Sequence, residues 1–335
     1  MSDGKNTILT FSRSEGGHRR SYIDFVGTLF QARRVGAKRL LWSREPVFFL
    51  MIEESFGFFV LLGFWRALLG RRTVGLLFRP GPAVHGAGMR HRIKRTVLKL
   101  MKHIGSIKVL TIVPFSIAAE FATIADDWIY DLQLWDLSEA GKTDLLPQPE
   151  GAVASEIVAL AKGRPVICAL GIQDQNKGFD VFARTWSQSA ELRDRYFFAY
   201  GGTVTPVLRD LADALAAKGC MGLNRQISDA ELFQIYSVSS AAWCLYDKAY
   251  DQASGILGRA IQFGLPAIVR EGSLSHRLCV ETGAPHIAAT AETVEAKLAE
   301  GLPERDATRG AALAKHFRAV SAQKLAAALG AELQA

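Results

Sequence analysis

Short apolar runs alternate with longer segments in which apolar residues recur every three or four positions, and this rhythm continues along the whole chain. In the first half, Asn6–Ser12, Lys38–Ser43, Thr73–Phe78, Ile107–Val113 and Trp128–Leu134 read as strands. Between them, Tyr22–Arg34 and Arg90–His103 have helical spacing. In the second helix, Ile93, Val97, Leu100 and Met101 share one face and most basic residues the other. The second half repeats the scheme with strands at Pro165–Gly171, Tyr196–Gly201, Ala241–Tyr246, Pro266–Arg270 and His286–Ala289. Ser228 and Glu231 have the spacing of a capping box, followed by Leu232, Ile235 and Tyr236 on one face. Another helix ends at Gly264, before Leu265 and Pro266, and the Ala-rich segment Arg309–Leu333 reads as a closing helix. Strand followed by helix, repeated, predicts an α/β fold with parallel, doubly wound sheets.

The rhythm breaks at Asp144–Gly151, DLLPQPEG, where two prolines and a glycine oppose both helix and central strand. The reading is therefore two Rossmann-like domains, 1–148 and 149–335, with a terminal helix that could pack back on the first. A chain of 335 residues suits two cores, and 49% hydrophobic with 22% charged residues excludes a disordered chain. The apolar region Val47–Leu69 is interrupted by Glu53, Glu54 and Arg66, so no transmembrane helix is expected there.

Cys168, Cys220, Cys244 and Cys279 stand far apart, mostly in apolar runs, without metal-ligand spacing, which predicts buried free thiols. The N-terminus lacks the basic start, apolar stretch and small-residue cleavage site of a signal peptide. The expected location is a reducing cytoplasm. The formal net charge is +7, and the first 150 residues carry all the excess, with 21 Lys and Arg against 14 Asp and Glu. Arg71–Lys108 holds ten basic residues and no acidic one, including Arg90, Arg92, Lys94 and Arg95. Such a stretch seeks phospholipid, a phosphorylated acceptor or nucleic acid. Without an aromatic stacking pattern or zinc signature, the nucleic-acid reading is the weakest, and no nucleic-acid partner is expected.

Three clusters carry candidate chemistry. Gly16, Gly17 and His18 follow the first strand, where glycine lets backbone amides approach a phosphate or sugar; an ordinary glycine turn is the plain alternative. Gly171 to Asp180 forms a strand end, a polar loop and a helix start, with Lys177 placed to meet a phosphate. Asp247 to Pro266 leads from a strand into a loop with Asp251, then Ser254 and Gly255 at a helix start. The seven histidines do not combine with carboxylates in a ligand-like pattern, and Asp126-Asp127 reads as a solvated turn, so no metal site or cofactor is expected.

In this order, the clusters resemble the retaining family-four glycosyltransferases of the GT-B fold, over nearly the whole chain and most strongly from Gly171 to Gly272. In that family a glycine-rich loop follows the first strand, as at Gly16-Gly17. A lysine-glycine pair opens the second domain, as at Lys177-Gly178, and two acidic residues bracket seven others. Here Asp251 takes the first acidic position and Arg259 the second, before the family-like Ala260-Ile261-Gln262-Phe263-Gly264-Leu265-Pro266. The arginine usual five residues before the lysine is replaced by Ile172.

The resemblance implies two Rossmann-like domains facing across a cleft. It also implies transfer of a sugar from a nucleotide diphosphate donor, with retention and without a metal, to a glycan or lipid-linked acceptor in cell-surface polysaccharide or lipopolysaccharide synthesis. Lys177 would neutralise the diphosphate, Ser254 and Gly255 add donors, Asp251 orient sugar hydroxyls and His18 contact donor or acceptor. Arg259 could grip the diphosphate in place of the missing arginine. The basic stretch would dock the protein on the inner face of an anionic membrane. The main alternative keeps the fold without catalysis, as a sugar- or partner-binding protein.

Overall fold

The computed structural model describes residues 7–13, 18–138 and 151–334, and for 18–20 the backbone alone. The expected boundary between 148 and 149 lies outside the described residues. Two compact units are present: the described residues of Met1–Leu132 with Phe317–Ala335, and Gln133–His316.

The first unit is built on strands β1 (Thr7–Phe11), β2 (Gln31–Arg34), β3 (Val47–Phe49), β4 (Thr73–Leu77), β5 (Ile107–Thr111) and β6 (Asp127–Trp128). They pair in parallel in the order β2-β1-β3-β4-β5-β6. All three residues of β3 and all five of β4 are buried, as expected for strands covered on both faces. Helices α1 (His18–Leu29), α2 (Ala37–Trp42), α3 (Phe56–Leu68), α4 (Pro80–His85) and α5 (Met89–Met101) connect them.

Four expectations change here. Lys38–Ser43 lies within and just after helix α2: Ala, Lys, Arg and Leu are strong helix formers, and Leu40 alone of the helix is buried. The helix expected over Tyr22–Arg34 stops at Leu29, and the exposed Gln31, Arg33 and Arg34 form the edge strand β2, whose polar composition hides its period. Of Trp128–Leu134, only Trp128 belongs to a strand, and Leu132–Leu134 is a 3-10 turn. The Asp126-Asp127 pair does not simply solvate a turn. Asp126 accepts from the Val109 amide at 2.8 Å and pairs with Lys108 at 3.3 Å, and Asp127 pairs with Lys324 at 2.5 Å.

The second unit contains β7 (Val166–Leu170), β8 (Phe197–Gly201), β9 (Met221–Leu223), β10 (Ala241–Cys244), β11 (Ala267–Arg270) and β12 (His286–Ala289). Their parallel order is β12-β11-β10-β7-β8-β9. The interleaved helices are α6 (Ala152–Ala161), α7 (Phe179–Gln188), α8 (Ala190–Arg195), α9 (Arg209–Ala217), α10 (Asp229–Val238), α11 (Gly255–Gln262), α12 (Leu274–Thr282) and α13 (Val294–Glu300). Helix α14 (Ala307–Leu329) is the expected closing helix. The capping box is present: the Ser228 hydroxyl accepts from the Glu231 amide at 3.2 Å, and the Glu231 carboxylate accepts from the Ser228 amide at 2.8 Å. Arg225 binds the same carboxylate through two nitrogens, and these bonds pull it down to about 2. All four cysteines are free and buried, and burial pushes Cys168 up to about 12 and Cys244 to about 11, leaving the thiols protonated. Among the described residues, no helix is long and apolar enough to cross a membrane.

Arg66 is the one arginine of α3 and is fully buried. Its guanidinium donates to Thr73 Oγ1 and Ser43 Oγ and to the carbonyls of Leu40, Ser43, Glu45 and Arg72, at 2.6–3.1 Å. Burial lowers its pKa to about 10, so it remains charged at neutral pH. It closes the carbonyls that α2 and two loops leave open at the sheet entrance. Arg66→Ala would orphan this set and is expected to cost about 3 kcal/mol or more in thermal or urea unfolding. Arg66→Lys should recover only part, because an ammonium cannot reproduce the planar fork.

Candidate functional site

Both sheets reverse strand order at one place, and in parallel sheets a ligand crevice opens at the strand C-termini beside such a reversal. In the second unit it lies between β7 and β10. After β7 the chain turns at Gly171, φ +89°, and passes Asp174 to Gly178 before α7. After β10 it runs through Tyr246, Tyr250 and Asp251 to Ser254 and α11. The two loops touch: the Asp247 amide donates to the Asn176 carbonyl at 2.9 Å and the Trp243 indole to the Gly178 carbonyl at 3.3 Å.

Lys177 stands between these loops. Its Nζ lies 5.3 Å from the Tyr246 ring centroid and 5.4 Å from that of Tyr250, a cation held on two aromatic faces. No carboxylate of the described residues forms a salt bridge with it. A side chain at Gly171 would meet Lys177 Nζ at 3.6 Å and Ile256 at 3.8 Å, so the ammonium shares a neighbourhood with the first turn of α11. That turn begins at Ser254, whose hydroxyl caps it by accepting from Leu257 and is joined to the Tyr246 hydroxyl at 2.8 Å. Burial holds the Tyr246 hydroxyl protonated, its pKa well above the usual value.

Asp251 lies in the same loop. Its Oδ1 accepts from the Leu274 amide at 2.8 Å and pairs with Arg270 Nη2 at 3.4 Å, and Arg270 also donates to the Tyr246 carbonyl at 3.0 Å. Arg270, at the C-terminal end of β11, is a second cation beside the site that sequence spacing does not reveal. The position five residues before Lys177 holds Ile172, which is exposed.

No family model and no curated protein matches the sequence. Solved structures do. HepE from Anabaena, in complex with UDP, superposes with a TM-score of 0.57 at 12% identity, over 95% of each chain. The UDP-forming α,α-trehalose-phosphate synthase of Burkholderia xenovorans gives 0.57 at 14% identity, over 88% of this chain and 76% of that one. The Escherichia coli synthase bound with UDP-2-fluoro glucose gives 0.55 at 11%, over 89% and 76%. The fold is GT-B.

Within this GT-B chain, Arg259 was expected at the donor diphosphate. The structure places its guanidinium on Asp136, through Nε at 3.3 Å and Nη2 at 3.1 Å, and on Asp229 through Nη1 at 3.2 Å, with the Phe233 ring 5.2 Å away. Burial would lower its pKa, but these carboxylates more than offset that and raise it. Gly255 and Gly258 are bare for a reason the sequence reading missed: side chains there would meet Gln133 at 1.5 and 2.6 Å. Gln262, one turn on, donates to the Gln133 carbonyl and Asp136 and accepts from the Leu137 amide. The segment Gln133–Ser138 is thus seated along α11.

In the first unit, Gly16 and Gly17 lie outside the described residues. His18 opens α1, and only its backbone is described. Of the basic residues on α5, Arg90 and Arg92 are exposed. Lys94 lies over the Phe56 ring at 5.2 Å, its pKa lowered by burial, and Arg95 donates to the Ala83 and Gly86 carbonyls at 2.9 Å. Among the described residues, no three His, Cys, Asp or Glu side chains group as a metal site.

Gly178 holds the site loops together. Its φ is +69°, and a side chain would stand 2.1 Å from the Leu245 carbonyl oxygen, which is backbone and cannot swing away. Gly178→Ala combines left-handed strain with that overlap and is expected to cost on the order of 3 kcal/mol in urea unfolding. An unchanged midpoint would show that the two loops are not locked.

Proposed function

We propose that this protein transfers a sugar from a nucleotide diphosphate donor, a UDP-sugar, to a glycan or lipid-linked acceptor. Transfer proceeds with retention and needs no metal or cofactor. The observation that carries this is Lys177, a half-buried ammonium without a carboxylate partner, held on two tyrosine rings beside the first turn of α11 at the reversal of a parallel sheet. An unpaired cation next to the first amides of a helix is a site for an anion. UDP, the molecule bound by the Anabaena neighbour, supplies one of the right charge.

In this reading Lys177 and the amides of Ser254 and Gly255 stabilise the negative charge that grows on the departing diphosphate. Asp251 uses Oδ2, the oxygen not engaged by Leu274 or Arg270, to orient a sugar hydroxyl. Arg259 serves the donor from the edge of the site, with Asp136 fixing it and the exposed Asp229 exchangeable for ligand. Gly16, Gly17 and His18 approach donor or acceptor. The protein works in the cytoplasm, peripherally on the inner membrane face, in cell-surface polysaccharide or lipopolysaccharide synthesis.

Lys177→Ala should lower turnover of UDP-sugar by about a hundred- to a thousand-fold, equivalent to about 2.7–4 kcal/mol in the transition state, while the thermal midpoint stays near wild type. Wild-type turnover in the variant would place Lys177 on an ordinary surface. Tight UDP binding by wild type with neither transfer nor hydrolysis of any UDP-sugar would identify a binding protein instead.

Arg259→Glu sets a third carboxylate against Asp136 and Asp229. The variant is expected to lose stability and donor affinity together, and full retention of donor affinity would remove Arg259 from the site.

A further inference from the structure

Helix α3 is apolar on two opposite sides. One side packs inward through Phe59, Leu62, Gly63 and Arg66. The other carries Leu61, Phe64, Trp65 and Leu68, spaced three, four and seven residues from the first, which is one helical stripe, and all four are exposed. Leu61 is 73% and Leu68 83% accessible. Trp42 of α2, 71% accessible, stacks edge-on against Trp65 at 5.9 Å, and the Trp65 indole donates to the Leu41 carbonyl. This is a contiguous patch of two tryptophans and several leucines, which single chains in water rarely expose without a partner.

The charge around the patch selects the partner. Lys38 stands one turn before Trp42 on the same face of α2, and Arg39 beside it is also exposed. Arg71, just after α3, reaches the Leu41 carbonyl. Across Ala37–Glu45 and Phe56–Arg72 the only acidic residue is Glu45, against five basic ones besides the buried Arg66. A two-fold pairing of copies through this face would set these cations against their own counterparts. An anionic bilayer matches both features, with indoles and leucines entering the headgroup boundary and cations meeting lipid phosphate. Helix α3 has 13 residues, far fewer than a spanning helix needs, so it can only lie in the plane of the interface.

We propose that the outer face of α2 and α3, centred on Trp42, Trp65, Leu61 and Leu68, is the surface that docks this protein on anionic membranes. It deepens the membrane part of the proposed function by naming the surface, and it does not depend on catalysis. The basic residues of α5 then assist from a distance, since Lys94 and Arg95 are turned onto the protein.

The test is flotation with phosphatidylcholine vesicles, with and without phosphatidylglycerol, at low and high salt. Wild type should float only with the anionic vesicles and less at high salt, with a blue shift of tryptophan emission. The triple variant Trp42→Gln, Leu61→Gln, Leu68→Gln changes only exposed side chains and should keep the thermal midpoint. It should partition about a hundred-fold more weakly. Lys38→Glu with Arg39→Glu should abolish the preference for anionic lipid. Unchanged flotation of the triple variant, together with its loss in Arg90→Glu, Arg92→Glu, would leave membrane association standing and overturn this surface. Failure of wild type to float, or a concentration-dependent dimer abolished by the triple variant, would overturn it as well. UDP-sugar turnover in solution by a protein that does not float would separate that failure from the transfer reading.

Discussion

The second unit depends on an approach between two backbones that only glycine permits. Gly178 lies so close to the Leu245 carbonyl that no other residue fits, and Gly202, φ +132°, stands equally close to the Gly171 carbonyl, which a side chain would meet at 1.8 Å. These contacts draw the loops after β7, β8 and β10 together over the carboxyl ends of their strands. The parallel order of the sheet sets the strand ends side by side; the glycines let the loops close over them. Lys177, one residue before Gly178, has its position fixed by this closure and not by a bond of its own ammonium.

That arrangement has an electrostatic consequence. A lysine on a flexible stem ordinarily meets a carboxylate or water, and most such pairs contribute little. Here the rings of Tyr246 and Tyr250 take the partner's place, so no carboxylate of the described residues competes with an incoming anion. The neighbouring charges are already balanced within the protein: Arg270 by Asp251, and Arg259 by Asp136 and Asp229. Among these cations Lys177 is the one whose charge is left uncompensated, and this is why the proposed chemistry centres on it.

The repeating features of the fold could be read from the sequence. Buried parallel strands are apolar on both faces, as in Val166–Leu170 and Phe197–Gly201, and a capping box is a local pattern, so both could be located by spacing. The loop of Lys177 and Gly178 was legible for the same reason. Contacts between distant positions were not. Arg259 finds Asp136 at a separation of 123 residues and Asp229 at 30, and the spacing around Arg259 gives no sign of either. The helix start at Gly255 is legible from its spacing, but the room that its missing side chain leaves for Gln133 is not. Polar Gln31–Arg34 hid a strand because an edge needs no apolar alternation. Helix α3 hid its outward stripe, since apolar residues on both sides give no periodic signal of which side the core takes.

The central claim is that a nucleotide diphosphate binds at the sheet reversal of the second unit, against Lys177. A crystal structure of the protein with UDP tests this directly. The account predicts diphosphate oxygens within hydrogen-bond distance of Lys177 Nζ and of the first amides of α11. UDP bound away from these groups, or a crystal soaked in UDP whose Lys177 site stays empty, would contradict it.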